Sequence, residues 1–236
     1  MSTPIETLHL DLGQIREQRC LFLLLALVAL LVALPFLSTT TIGRVLINLI
    51  NIVILLTAVA AVGRSTRSWV IAFFLGLPVL LFQVVALQSR APEHFALSWG
   101  FAAAFYAFIL ANLLQYVLRR DTMTEDKIYG AIAAYILIAI LWAFVDGILQ
   151  YFYPGAYTFL GAPKFLDMGE LIYFSFTVLM TVGFGDITPA LIQSRFFTIL
   201  EGITGVMYVA ILIARLTGLY PMRGPGVTPR REDRQG

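Results

Sequence analysis

Cysteine, histidine and charged side chains are all scarce in this chain of 236 residues. The single cysteine, Cys20, excludes an internal disulfide and a cysteine-only metal site. Charged residues make up 13% of the chain and the net charge is +2, which is too small to suggest a nucleic-acid partner. The sequence also lacks a phosphate-binding glycine loop, a cluster of metal ligands and a nucleophile–base pair. We therefore expect neither an enzyme nor a bound cofactor.

Apolar residues are abundant instead, at 59% of the chain, and the mean hydropathy is +0.86. A soluble domain is usually about half apolar and a quarter charged. Six stretches are long enough to cross about 30 Å of hydrocarbon as helices: Cys20–Leu37, Val45–Val62, Ser68–Gln88, Phe95–Leu118, Ile128–Tyr151 and Phe196–Tyr220. The apolar run Leu171–Met180 is too short to span. The sequence therefore predicts an all-α integral membrane protein with six transmembrane helices and a re-entrant helix between the fifth and sixth.

Positive charge predicts the orientation of these helices. If the N-terminus is cytoplasmic, twelve of the sixteen Lys and Arg residues lie on the inner side and four on the outer side. This asymmetry is the one expected of membrane proteins. Both termini are then cytoplasmic, and the segment after the short apolar run faces outward.

That segment reads TVGFGD and breaks the apolar pattern with two glycines. Gly183 and Gly185 can take positive φ at little steric cost, and their alternation with Val182 and Phe184 lets successive carbonyls point to one side. Non-helical backbone at membrane depth must be buried in protein or line a water-filled path. Four such strands around one axis would stack rings of oxygens that replace the hydration shell of a cation. The Thr181 hydroxyl would add a ring at the inner end.

The residues before this segment predict a short helix aimed at it. Asp167 and Glu170 have the spacing of a capping box, which opens a helix through about Met180. The negative end of its dipole would face the conduction path and favour a cation. Asp186 is expected to tie the extended segment to this helix by accepting from the Tyr173 hydroxyl.

The run TVGFGD resembles the selectivity filter of potassium channels. The following ITP, Arg195, GITGVMY and LIARLTGLY resemble the outer mouth and inner helix of the ion-channel superfamily, so the resemblance covers about Ile128–Tyr220. The chain is similar to small bacterial six-span potassium channels with one pore loop. The resemblance implies that K⁺ is bound by a filter whose backbone comes from Thr181, Val182, Gly183, Phe184 and Gly185, with carbonyls from the first four and the Thr181 hydroxyl. Tyrosine is commoner than Phe184 at its position.

On the last helix the resemblance implies that Gly205 is a gating hinge, with Gly202 as a second candidate. Close helix packing is the alternative for both glycines. Counting helical positions onward from Gly205, we expect Val206, Val209 and Ile213 to line an apolar cavity.

Two carboxylates stand within the apolar runs, where ionised groups are costly and usually functional. Glu201 lies one turn before the hinge candidate, and we expect it behind the filter near Thr177, protonated at neutral pH through desolvation. Asp146 lies in the outer half of the fifth span and is either functional or interfacial.

The predicted fourth helix argues against a conventional voltage sensor. Moving one charge through 100 mV is worth about 2.3 kcal/mol, so steep gating needs several charges. Phe95–Leu118 contains no Lys or Arg, and Arg119 and Arg120 follow only at its inner end.

The predicted organisation has five parts: a cytoplasmic N-terminal segment 1–19, either an interfacial helix or a frayed tail; a four-helix scaffold 20–118; a cytoplasmic linker 119–127; a pore domain 128–220; and a disordered cytoplasmic tail 221–236. With one filter per chain, we expect a homotetramer in contact with lipids of the plasma (bacterial inner) membrane, with no nucleic acid and no evident soluble partner. The expected function is passive, selective K⁺ conduction. The alternatives are a weakly selective cation channel and a non-conducting membrane scaffold or transporter-associated subunit.

Overall fold

A computed structural model describes residues 19–37, 92–119 and 124–218, together with short pieces between residues 46 and 79. The chain is mostly helical in these parts. The main helices are α1 (Arg19–Leu37), α2 (Pro92–Val117), α3 (Glu125–Phe152), α4 (Met168–Leu179) and α5 (Ile192–Gly218). The strands are β1 (Tyr157–Phe159), β2 (Ala162–Pro163) and β3 (Ile187–Pro189).

Four of the described helices are long and apolar enough to cross a membrane, namely α1, α2, α3 and α5. Their bounds agree within a few residues with four of the predicted spans. The other two predicted spans, Val45–Val62 and Ser68–Gln88, lie largely outside the described residues. The same holds for most of the predicted segments 1–19, 119–127 and 221–236.

Helix α3 is central, because α1, α2, α4 and α5 all pack against it. Small residues allow this close approach. A Cβ built on Gly130 would lie 3.1 Å from a Val117 methyl carbon of α2 and 3.2 Å from the Cys20 Sγ of α1. Large apolar side chains such as Leu27, Phe105 and Leu137 fill the buried space between these three helices. Helix α5 lies at the edge of this packing and keeps most of its apolar side chains exposed.

A small antiparallel sheet joins the two halves of the segment between α3 and α5, in the order β2-β1-β3. Leu160 and Gly161 form the two-residue turn between β1 and β2, and both have positive φ, at 50° and 83°, as a type I′ hairpin requires. The all-α prediction missed this sheet. Its strands have two or three residues each, too few for the alternation by which a strand is recognised.

Helix α4 begins with the predicted capping box, which is confirmed. The Asp167 side chain accepts from the Glu170 N–H at 2.9 Å, and the Asp167 N–H donates to Glu170 Oε2 at 3.1 Å. The 12 residues of α4 measure about 18 Å at 1.5 Å per residue. The helix is therefore too short to cross the membrane, as predicted, and it packs against α3 and α5.

Candidate functional site

The chain leaves α4 in a conformation of alternating handedness. Thr181, Gly183 and Gly185 have φ of 58°, 52° and 83°, whereas Val182 and Phe184 have negative φ. The two glycines were predicted to take positive φ. Thr181 was not, because a β-branched residue is rarely found there.

This conformation separates donors from acceptors. The Val182 and Gly183 N–H groups both donate to the Thr177 carbonyl of α4, at 2.8 Å and 3.1 Å, and the Thr181 N–H donates to the Val178 carbonyl at 2.9 Å. Successive N–H groups converge in this way when residues alternate between right- and left-handed conformations. Within the described ranges, the carbonyl oxygens of residues 181–185 accept no hydrogen bond. The first three N–H groups of the segment therefore bind α4, while its carbonyl oxygens stay without a donor in the described part of the chain.

The outer end of the segment is fixed by the sheet. The Leu160 N–H donates to the Asp186 carbonyl at 2.8 Å, directly after the segment, and β3 then pairs with β1. The hydroxyls of Thr158 and Thr188 lie 2.7 Å apart across the two strands. The segment is thus held by backbone hydrogen bonds at its start and directly after its end.

An aromatic contact joins the segment to α4. The Phe184 ring stacks on Tyr173 of α4, with centroids 6.2 Å apart and planes 7° from parallel. Desolvation raises the pKa of the Tyr173 hydroxyl, and the neighbouring Asp186 carboxylate raises it further. Tyr173 and Asp186 are therefore neighbours within one chain, as predicted.

In the single chain this segment is open to its surroundings. Residues 181–185 are all exposed, and the Phe184 side chain reaches 70% exposure. The three predicted cavity-lining residues, Val206, Val209 and Ile213, are also exposed.

Comparison with known proteins finds sequence similarity in this part of the chain. Residues 131–220 match the model of a family described as Ion channel. This part of the chain is therefore similar to members of the ion channel family. The "Voltage-gated potassium channel Kch" of Escherichia coli (strain K12) is 28% identical over 155 residues, which are 66% of this chain and 33% of the relative. The chain thus spans about a third of the length of that curated relative. No solved structure matches the chain. The predicted resemblance to the ion-channel superfamily is confirmed.

The ion channel domain begins inside α3 and ends just past α5. It contains α4, the segment 181–185 and the three strands, which are the elements that fix the unpaired carbonyls. Helices α1 and α2 lie outside the matched region.

Within the matched region, Gly205 is a close-packing position. A Cβ built there would lie 2.5 Å from the Leu179 carbonyl oxygen and 3.0 Å from its Cα, at the end of α4. A Cβ on Gly202 would meet nothing nearer than a Val178 methyl carbon at 3.9 Å. The contact of Gly205 with α4 supports the packing alternative, and the hinge roles of Gly205 and Gly202 stay predictions.

Glu201 is fully buried and packs against α4, the helix that contains Thr177. Its Oε1 contacts the Ser175 hydroxyl of α4, whereas the Thr177 hydroxyl donates to the Phe174 carbonyl at 2.7 Å. Thr177 supports the segment through its backbone oxygen instead. Ser175 was not predicted, because its only signal is a small polar residue inside an apolar helix.

Asp146 is also fully buried inside the protein, and both alternatives for this residue stay predictions. It accepts a hydrogen bond from the Tyr157 hydroxyl at 2.7 Å. Its partner comes from β1, an element that was not predicted.

Proposed function

We propose that the chain forms a potassium-selective ion channel, which conducts K⁺ passively across the plasma membrane and is not conventionally voltage-gated. The observation that carries the proposal is the backbone of residues 181–185, in which φ alternates in sign. Its carbonyl oxygens are unpaired within the described part of the chain, while its first three N–H groups donate to α4. The sequence of this segment and the potassium channel relative support the same function.

The proposed channel is a homotetramer, because each chain supplies one filter segment and a closed ring requires several copies. Four copies would place the Thr181, Val182 and Gly183 carbonyls around one axis, followed by the Phe184 carbonyl at the outer end. K⁺ would exchange its hydration shell for these oxygens, with the Thr181 hydroxyl as the innermost ligand. The chain's role is to hold the oxygens in place before the ion arrives. The hydrogen bonds to the Thr177 carbonyl and the pairing of the strands would keep the segment rigid.

The membrane helices outside the pore serve as a scaffold in this proposal. Helix α2 carries no Lys or Arg between Pro92 and Val117, so transmembrane voltage has little charge to act on there. Opening would depend on the filter or on α5 near Gly205. Both termini would lie in the cytoplasm, with the filter near the outer face.

Flux measurements on purified protein in liposomes test the proposal. We expect K⁺ flux that exceeds Na⁺ flux and is blocked by barium. Equal K⁺ and Na⁺ flux would indicate a weakly selective cation channel, and no flux from intact tetramers would indicate a non-conducting scaffold.

A glycine substitution tests the role of the filter backbone. Gly183 has φ of 52°, and an alanine in this conformation is strained by about 1–2 kcal/mol. Gly183→Ala should therefore lower K⁺ flux by roughly tenfold or more, since each copy in a tetramer carries the strain. Gly100→Ala is the matched control, because its Cβ would meet nothing within 4 Å. Equal flux from both variants would contradict the proposed filter.

A further inference from the structure

Four polar side chains lie completely buried in one region behind the filter segment. They are Asp146 of α3, Tyr157 of β1, Ser175 of α4 and Glu201 of α5, each with an exposed fraction of 0%. Every one of them comes from a different element. Two of these side chains are acids, and an ionised acid is costly in the buried, membrane-spanning part of a protein. The positions of their protons therefore matter.

The Asp146 side of this cluster contains a clear donor. The Tyr157 hydroxyl lies 2.7 Å from Asp146 Oδ1. Burial raises the pKa of Tyr157, and the Asp146 carboxylate raises it further. Tyr157 therefore keeps its proton and donates it, which leaves Asp146 Oδ1 as the acceptor.

The Glu201 side is decided by counting protons at Ser175. A serine hydroxyl carries one hydrogen. Ser175 Oγ lies 2.7 Å from the Ala139 carbonyl oxygen, which has no proton of its own, so Ser175 must donate in that contact. Ser175 Oγ is also in hydrogen-bond contact with Glu201 Oε1. One hydrogen cannot serve both contacts fully, so a proton on Glu201 would satisfy the second contact.

The charges around the cluster agree with this count. Within the described parts of the chain, neither carboxyl forms a salt bridge, and Asp146 Oδ2 and Glu201 Oε2 have no hydrogen-bond partner. Two ionised carboxylates without a cation would be very costly in such a buried site. The elements packed around the site contribute Asp146, Tyr157 and Glu201 as titratable groups, and Ser175 does not titrate.

We propose that Glu201 is a neutral carboxylic acid that donates to Ser175, while Asp146 is the acceptor of Tyr157, so that the pair holds one proton. The chain of hydrogen bonds runs from Glu201 to Ser175 and from Ser175 to the Ala139 carbonyl. It connects α5 to α4 and α4 to α3, six residues before the filter begins at Thr181. The bound proton thus helps to hold α4, the helix before the filter segment, between α3 and α5. This site exists whether or not the protein conducts.

Infrared difference spectroscopy on the full chain in lipid vesicles tests the proposal without relying on flux. A protonated carboxylic acid has a carbonyl band separate from that of a carboxylate, and the band shifts in D₂O. We expect this band in the wild-type protein and its loss in Glu201→Gln, a substitution that keeps the shape of the side chain. Asp146→Asn should retain the band. Ser175→Ala should shift it without removing it, since the acid loses its acceptor.

Glu170→Gln is the matched control, because Glu170 is a partly exposed carboxylate that pairs with Lys164. It should leave the band unchanged. The proposal is overturned when the wild-type band is absent, or when it persists in Glu201→Gln and disappears in Asp146→Asn. Circular dichroism confirms that each variant is folded, and a misfolded Glu201→Gln leaves the shift in Ser175→Ala as the deciding result.

Discussion

Gly205 and Gly202 lie one turn apart on α5, but only Gly205 touches the backbone of α4. The contact is with Leu179, at the point where α4 ends and the filter segment begins. A methyl group at Gly205 has to displace backbone, because the Leu179 carbonyl oxygen would be 2.5 Å away. Forcing extra atoms into a packed site typically costs about 1–3 kcal/mol.

Gly205→Ala should therefore lower the thermal unfolding midpoint of the purified protein, by the equivalent of about 1–3 kcal/mol. Gly202→Ala is the control, since its Cβ would be in ordinary contact at 3.9 Å. We expect Gly202→Ala to leave the midpoint nearly unchanged. Unaltered stability of Gly205→Ala, together with altered channel opening, would instead favour the hinge.

At the residue scale, the sequence predicted what depends on local backbone freedom. Positive φ at Gly183 and Gly185 follows from the absence of a Cβ, but positive φ at Thr181 does not follow from its residue type. It results from the two N–H bonds that Thr177 accepts. The Glu201–Ser175 contact could not be predicted from the sequence either, because it depends on how α4 and α5 are rotated about their axes.

At the scale of elements, the residue that precedes the N-cap of α4 is anchored to α3 by two hydrogen bonds. The Gln150 amide donates to the Leu166 carbonyl at 2.8 Å and accepts from the Leu166 N–H at 2.9 Å, both in buried surroundings. Leu166 directly precedes the N-cap Asp167. This pair of bonds connects the outer end of α3 to the beginning of α4.

Gln150→Leu should loosen this connection, since it leaves a buried N–H and a buried carbonyl without partners. Each such group typically costs about 1–3 kcal/mol. We expect faster amide hydrogen exchange at the start of α4 and a lower unfolding midpoint. Gln193→Leu, at a partly buried position near the start of α5, provides the comparison. Equal exchange at α4 in both variants would contradict the role of Gln150.

The elements differ in how well the sequence predicted them. The start of α4 was predicted because Asp167 and Glu170 form a local motif. The long helices were predicted because their apolar runs match the bilayer thickness. The sheet was missed because its register, Thr158 with Thr188, joins residues thirty positions apart, and the strands are too short to have a pattern.

At the scale of the whole molecule, α5 has two different faces. Glu201, Gly205 and Tyr208 face the same chain, and the Tyr208 hydroxyl donates to the Ala131 carbonyl at 2.6 Å. Residues on the remaining surface are exposed and apolar, including Val209 and Ile211 at 42% and 50%. Such a surface requires lipid or other copies of the chain. The resemblance to ion channels assigns the face of Val206, Val209 and Ile213 to the cavity.

This assignment can be tested with cysteine substitutions in a Cys20→Ala background, which removes the chain's one native thiol. If Val209 lines a water-filled cavity, a charged thiol reagent that does not enter lipid should modify Val209→Cys and reduce K⁺ flux. Ile211 lies about 200° around the helix from Val209, at 100° per residue. Ile211→Cys should therefore react slowly and retain its flux. Rapid modification of Ile211→Cys with Val209→Cys protected would place the cavity on the opposite face and exclude this arrangement of the four copies.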